Sequence, residues 1–274
     1  MTDLLIESAV LEDRLRDALP NDVDYASARL IDERSERLRV RRNQLDPMHT
    51  DFDTGVMIAI WNDGGLGYAA TTDLSDRGLA ITVDRARYWA TVTAGAMVTT
   101  APPTSHAVGT YVSPVEVTWD TLPLNDRLEL LQQQSRLLGI DDRIVDWSAS
   151  LVRRDVDQLL LTTSRDGGEG RVEQRFRFLY PGLRATANEG TNTQTRTFGA
   201  SAFCGQGGAE VLGRFGFGDA ASRLANEALE LLTAPNCPSG VMDVLLAPDQ
   251  MVLQIHESIG HPLELDRILG DERN

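Results

Sequence analysis

The most constraining feature of this chain is a short turn. Asn62-Asp63-Gly64-Gly65 separates two apolar, strand-like runs, Gly55–Trp61 and Leu66–Thr72. An Asp-Gly pair between such runs is a hairpin signal, because the tight hairpin turns need residues that tolerate positive φ. A turn this short leaves its flanking strands antiparallel. The same reasoning applies at Asp166-Gly167-Gly168, between Gln158–Ser164 and Arg171–Tyr180. It applies again at Pro181-Gly182, before Leu183–Asn188. Tyr25–Ile31 and Arg37–Leu45 read as two more strands with an acidic turn between them. Ile144–Val152, Thr193–Phe203 and the short apolar Val241–Leu246 complete the strand set.

Helical periodicity fills the gaps. Leu4, Leu11, Leu15 and Ala18 mark a helix over Asp3–Leu19 that Pro20 ends. Asp73-Leu74-Ser75-Asp76 caps a helix running to about Thr91. Leu124–Leu138 forms another, stopped by Gly139. Asp219–Leu232 presents Leu224, Ala228 and Leu231 on one face. Pro248 fits the first turn of a last helix. Thr99–Ser113, with Pro102 and Pro103, reads as a connection.

Charge narrows the function classes. The 274 residues carry 41 acidic and 26 basic side chains, a net charge of −15, and every basic residue is arginine. Without lysine there is no lysine Schiff base and no P-loop lysine. The acidic balance argues against a nucleic-acid partner and against an anionic membrane surface. Arg37, Arg39, Arg41 and Arg42 alternate with Leu38 and Val40 and read as the exposed face of a strand. The N-terminus, broken early by Asp3 and Glu7, does not read as a signal peptide, and no apolar run is long enough to span a membrane. Two cysteines without paired spacing, Cys204 and Cys237, set a cytoplasmic expectation.

The chemistry concentrates in Gln254-Ile255-His256-Glu257-Ser258-Ile259-Gly260-His261. Two of the four histidines flank a glutamate on an otherwise apolar helix. Neutral imidazoles are good zinc ligands, and a carboxylate beside them can act on water held by a metal. The spacing is unusual. At about 100° per residue, histidines at i and i+4 are offset by about 40°, whereas i and i+5 are offset by about 140°. One small ion cannot be reached from both sides of a regular helix. A π-type turn with i→i+5 hydrogen bonding brings the rings together. The sequence therefore predicts a distorted turn around Ser258–Pro262, with Gly260 permitting unusual backbone and Pro262 removing a donor. The alternative is a pair of ordinary polar helix residues; their concentration around Glu257 brings the ligand reading level with it.

Other residues have plainer readings. Glu264 and, more weakly, Asp266 are metal ligands, orienters of a histidine, or salt-bridged glutamate and aspartate. Cys204 and Cys237 read as buried structural thiols. His49 and His106 read as surface or loop histidines without a motif around them. The glycine-rich stretch 205–218 has no dinucleotide fingerprint.

The segment Leu245-Leu246-Ala247-Pro248-Asp249, continuing through His256-Glu257-Ser258-Ile259-Gly260-His261-Pro262-Leu263-Glu264-Leu265-Asp266-Arg267, resembles the signature region of the TldD/PmbA (TldE) peptidases. Weaker resemblance covers the paired strands after Tyr25, the hairpin near Gly64 and the helix before Cys237. It implies a zinc metallopeptidase in which His256 and His261 hold Zn2+ and Glu257 is the general base. The implied substrate is a peptide or unfolded polypeptide, and the implied assembly a homodimer or a heterodimer with a paralogous subunit. In the family a third ligand, a cysteine, lies far downstream in a β-rich domain. The sequence ends at Asn274, which sets the expectation of a truncated, incomplete form without that domain. A non-catalytic partner subunit or inactive fragment of the same family is the alternative. The fold class is then α+β: two antiparallel-sheet units with packed helices, ending in a metal-binding helix. The division expected is 1–95 for an N-terminal α+β domain of TldD/PmbA type, 96–236 for a middle α+β domain, and 237–274 for the start of the metallopeptidase domain.

Overall fold

The computed structural model describes residues 9–98, 102–199 and 203–270, apart from the side chain of Asp249. The expected helix over Asp3–Leu19 lies partly outside these residues; within them it is α1, Ala9–Ala18, which buries Leu11 and Leu15. β1 runs over Tyr25–Arg41, and the short β2 over Gln44–Leu45. β3 (His49–Asn62) and β4 (Gly65–Thr71) form the expected hairpin, with Asp63 at φ 50° and Gly64 at φ 79° in its turn. α2, Asp76–Thr93, is capped by Ser75, whose hydroxyl accepts from the Gly78 N–H. β5 is Val108–Val112, and α3 is Leu124–Leu138. β6 (Ile144–Thr163), β7 (Glu169–Glu189), β8 (Asn192–Phe198) and β9 (Gly205–Gln206) follow. α4 (Glu210–Arg214) and α5 (Phe217–Leu231) precede the terminal helices.

The α+β class and the antiparallel pairing stand, but the two expected sheet units are joined. The strand order is β4-β3-β1-β6-β7-β5, with β2 on β1 and both β8 and β9 on β7. β1 and β6 pair antiparallel from Ala26↔Thr163 to Arg41↔Ser148, which fuses the two strand sets into one sheet. Among the described residues the β5–β7 pair alone is parallel. Residues 102–113, expected as connection, therefore include a strand; Thr99–Ala101 lie outside the described residues.

β1 and β6 each run through a stretch where the sequence suggests a break, for one reason. Ala26, Ala28, Leu30, Leu38 and Val40 share a face of β1 by period-two alternation. The first three pack under α1 and α2; the last two belong to a second cluster with Leu131 of α3 and Leu224 of α5. Asp32, Arg34 and Glu36 lie between them on that same face. The acidic stretch is strand because side chains from neighbouring elements answer its charges. Thr54 donates to Asp32 at 2.9 Å, and Glu36 accepts from Trp119 Nε1 at 3.1 Å and Arg127 Nη1 at 2.6 Å. On β6 the buried Asp157 accepts from Arg177 Nη1 of β7 at 2.5 Å. Buried charges persist where each is paired and hydrogen-bonded. The same belt carries β6 through Arg153–Asp157, where a break was expected.

Pro181-Gly182 is not a turn either. β7 continues through it, paired with Leu151 and Ser150 of β6. On its other side β9 pairs Phe178–Leu179 and β8 begins at Leu183, so Pro181 occupies an unpaired edge, where proline is tolerated. β8 ends at Phe198, short of the expected Phe203; residues 200–202 lie outside the described residues. Val241–Leu246 is not a strand but irregular and exposed, with Val241 and Leu245 fully open. Among the described residues, no helix is long and apolar enough to cross a membrane.

Candidate metal centre

α6 covers Pro248–Ile255, with Pro248 at its first turn as its missing N–H allows. The backbone then widens into a π-helical turn over His256–Gly260, as the histidine spacing demands, beginning two residues before the expected Ser258–Pro262. The His261 N–H donates to the His256 carbonyl, the i→i+5 bond that defines such a turn. Gln254 Nε2 donates to Ser258 Oγ at 2.6 Å and braces it from the side. That pair was not anticipated; an amide and a hydroxyl four residues apart were its only sequence signal.

The role expected of Gly260 is corrected. Its φ of −62° and ψ of −59° are ordinary right-handed values, so no special glycine conformation makes the turn. The extra residue is spread through five widened hydrogen-bonded positions instead. Pro262 lies in the single 3-10 turn His261–Leu263, and α7 follows over Leu265–Leu269.

The consequence is juxtaposition. The two imidazole rings have centroids 4.4 Å apart and are tilted by 76°. Glu257 Oε2 is 4.0 Å from His261 Nε2. One ligand atom from each of His256, Glu257 and His261 falls within 4.8 Å of the others, and these form the one such cluster among the described residues. His256 and Glu257 are exposed and His261 is half-buried, so water reaches the site. Glu264 stands outside the cluster: its Oε1 is 2.6 Å from His261 Nδ1, and its Oε2 is 2.8 Å from Arg267 Nε.

The remaining candidates fall elsewhere. Cys204 is half-buried and Cys237 exposed, which corrects the buried-thiol reading for Cys237. His49 is exposed on β3. His106 is half-buried in the segment before β5, with Nδ1 2.9 Å from Thr162 Oγ1 and Nε2 3.0 Å from Ser164 Oγ. This superficially suggests a serine nucleophile. Ser164, however, is only 5% exposed and its hydroxyl donates to Asp166, so its proton is already directed away from the histidine. The trio ties the 102–107 segment to the β6–β7 turn. The arginines of the β1 cluster flank the buried Leu38 and Val40, as their alternation indicated.

Fold and site together describe a mixed α+β protein in which one π-helical turn gathers two histidines and a glutamate that could hold a metal ion. A family profile described as PmbA/TldA metallopeptidase domain 1 matches residues 26–90. A metalloprotease from Methanothermobacter thermautotrophicus is 25% identical over 252 residues, covering 91% of this chain and 52% of that protein. A metalloprotease from Methanocaldococcus jannaschii is 20% identical over 258 residues, covering 91% and 53%. Two crystal structures share the fold, from Thermotoga maritima and Bacteroides thetaiotaomicron, each described as a candidate modulator of DNA gyrase. Each has a TM-score of 0.56 at 17% identity, covering 84% of this chain and 50% of its counterpart. Residues 26–90 thus match the first domain of that metallopeptidase family, and most of the chain is similar to proteins named metalloproteases. The chain spans about half the length of the curated relatives it matches.

Proposed function

We propose that this chain supplies His256, Glu257 and His261 to the active site of a zinc-dependent peptidase that cleaves peptides or unfolded polypeptide segments. The observation that carries the reading is the π-turn, which gathers two imidazoles and a carboxylate that a regular helix would separate. The donor set suits zinc: neutral imidazole nitrogens are favoured ligands of that borderline ion, and an exposed site leaves open positions. The metalloprotease names of the two relatives support a metal ion in this role.

In this reading His256 and His261 would hold the ion, which would supply Lewis-acid chemistry. Glu257 would take a proton from the attacking water and pass it to the departing amine. Its carboxylate suits the task because it lies 4.0 Å from the His261 ring nitrogen facing the cluster and is open to solvent. Two imidazoles are half of a tetrahedral zinc set, so an ion held by His256 and His261 alone would be bound more weakly than one with three protein ligands. Pairing with a second copy or a paralogous subunit, and a cytoplasmic location, belong to the same proposal.

Calorimetric titration of the chain with zinc tests it. The expected result is one zinc per chain with modest affinity, lost when both histidines are replaced by alanine. Equal binding by the double variant, or sub-nanomolar binding by the unaltered chain, contradicts it.

A further inference from the structure

We propose that Glu264 is a positioning residue that fixes the tautomer and ring orientation of His261. The inference rests on the metal-site reading above and names the group that prepares one of its ligands.

The geometry begins in the backbone. Residues 261–263 form a single 3-10 turn, closed by the Glu264 N–H donating to the His261 carbonyl at 3.2 Å. Side chains three apart eclipse one another in such a turn. Pro262, in the first turn, suits it because its ring sets φ and its nitrogen needs no partner. Glu264 thereby stands over His261, and its Oε1 approaches Nδ1 to 2.6 Å. The same two residues are joined through main chain and side chain.

That contact decides which nitrogen carries the proton. An ionised carboxylate only accepts, so Nδ1 must be the donor. In the neutral ring Nε2 is then left with its lone pair. Nε2 is the atom 4.0 Å from Glu257, on the cluster side of the ring. The structure therefore presents the metal-binding nitrogen towards the cluster and occupies the other. Arg267 supplies the outer link: its Nε lies 2.8 Å from Glu264 Oε2, which orients the carboxylate. A carboxylate behind a ligating imidazole also raises its basicity and fixes its plane. Glu264 is not itself a ligand in this arrangement, because its near oxygen is engaged on the nitrogen turned away from the cluster.

The test uses the full chain with two readouts. Long-range proton–nitrogen NMR of the metal-free protein reports the His261 tautomer; the expected result is a single form protonated at Nδ1. Zinc affinity, measured by competition with a chelator, is expected to fall about 10- to 100-fold in Glu264→Ala. Glu264→Gln, which keeps an acceptor oxygen, is expected to recover part of the loss. The tautomer is expected to become mixed in Glu264→Ala. Unchanged affinity together with an unchanged tautomer in Glu264→Ala overturns the positioning role. If the unaltered chain binds no zinc, the metal-site reading fails by itself, and the NMR readout on metal-free protein still decides the role of Glu264.

Discussion

The backbone N–H of His261 donates to the carbonyl of His256, and the rings of these two residues lie with centroids 4.4 Å apart. One hydrogen bond thus states how a five-residue spacing becomes a shared site. Each turn of a regular helix would carry the second histidine past the first; the widened turn holds it back.

Altering the spacing tests that geometry. Deleting Ile259 restores an i, i+4 pair, whose offset of about 40° in a regular helix keeps both rings on one side. Inserting one alanine after Ile259 gives an i, i+6 pair, which a regular helix holds about 120° apart and further along its axis. The deletion is expected to retain zinc binding and the insertion to abolish it, as read by calorimetry. Gly260→Ala is expected to leave binding unchanged, since an added Cβ meets only the Ile255 carbonyl oxygen at an ordinary 3.6 Å.

The hairpin that opens the sequence argument carries a packing prediction. A Cβ on Gly67 would lie 2.0 Å from the Ala86 carbonyl oxygen and 2.3 Å from the Ala90 nitrogen, both backbone atoms of α2. Gly65 is equally close to α2. Gly67→Ala must push the helix off the sheet, and overpacking of this kind costs about 1–3 kcal/mol. Chemical denaturation reads the loss; unchanged stability contradicts the close approach of α2 to β4.

Acid stability depends on Glu12, which pins α1 to the sheet. Its carboxyl is held below its ordinary value of 4.5, first by the hydrogen bond from Arg171 and then, against the opposing effect of burial, by the charge of Arg171 and by Arg16. A depressed folded pKa stabilises the fold above the unfolded value, and that contribution is lost as pH falls through the folded value. Stability is therefore expected to decline below about pH 4.5, and Glu12→Gln to flatten part of that decline. Denaturation midpoints of the two proteins across this range are the measurement; parallel curves contradict the assignment.

Glu257 separates chemistry from binding. Any preparation of this protein that hydrolyses peptides is expected to lose about 10²- to 10⁴-fold in turnover in Glu257→Gln, the usual worth of a general base. Zinc content is expected to stay the same, because the histidines hold the ion. Turnover that survives the substitution refutes the role.

What the sequence disclosed depended on how local the signal was. The Ser75 cap, the Gly139 stop and the Asp63-Gly64 turn are written in adjacent residues, and the structure has them all. The histidine spacing was local too, and it required the π-turn. The continuity of β1, β6 and β7 was not legible, because Asp32, Glu36 and Asp157 are acceptable in strands only through partners remote in sequence, such as Thr54, Arg127 and Arg177. Val241–Leu246 shows the opposite failure: an apolar run is a strand only where a neighbouring strand receives it, and none does among the described residues. Gly260 was given a role its ordinary backbone does not perform.

X-ray absorption at the zinc edge of the loaded chain reads whether His256 and His261 bind one metal ion together. Scattering from two imidazoles is expected in the unaltered protein and from one in His261→Ala. A zinc environment without imidazole, or one that His261→Ala leaves unchanged, contradicts shared binding by the two histidines.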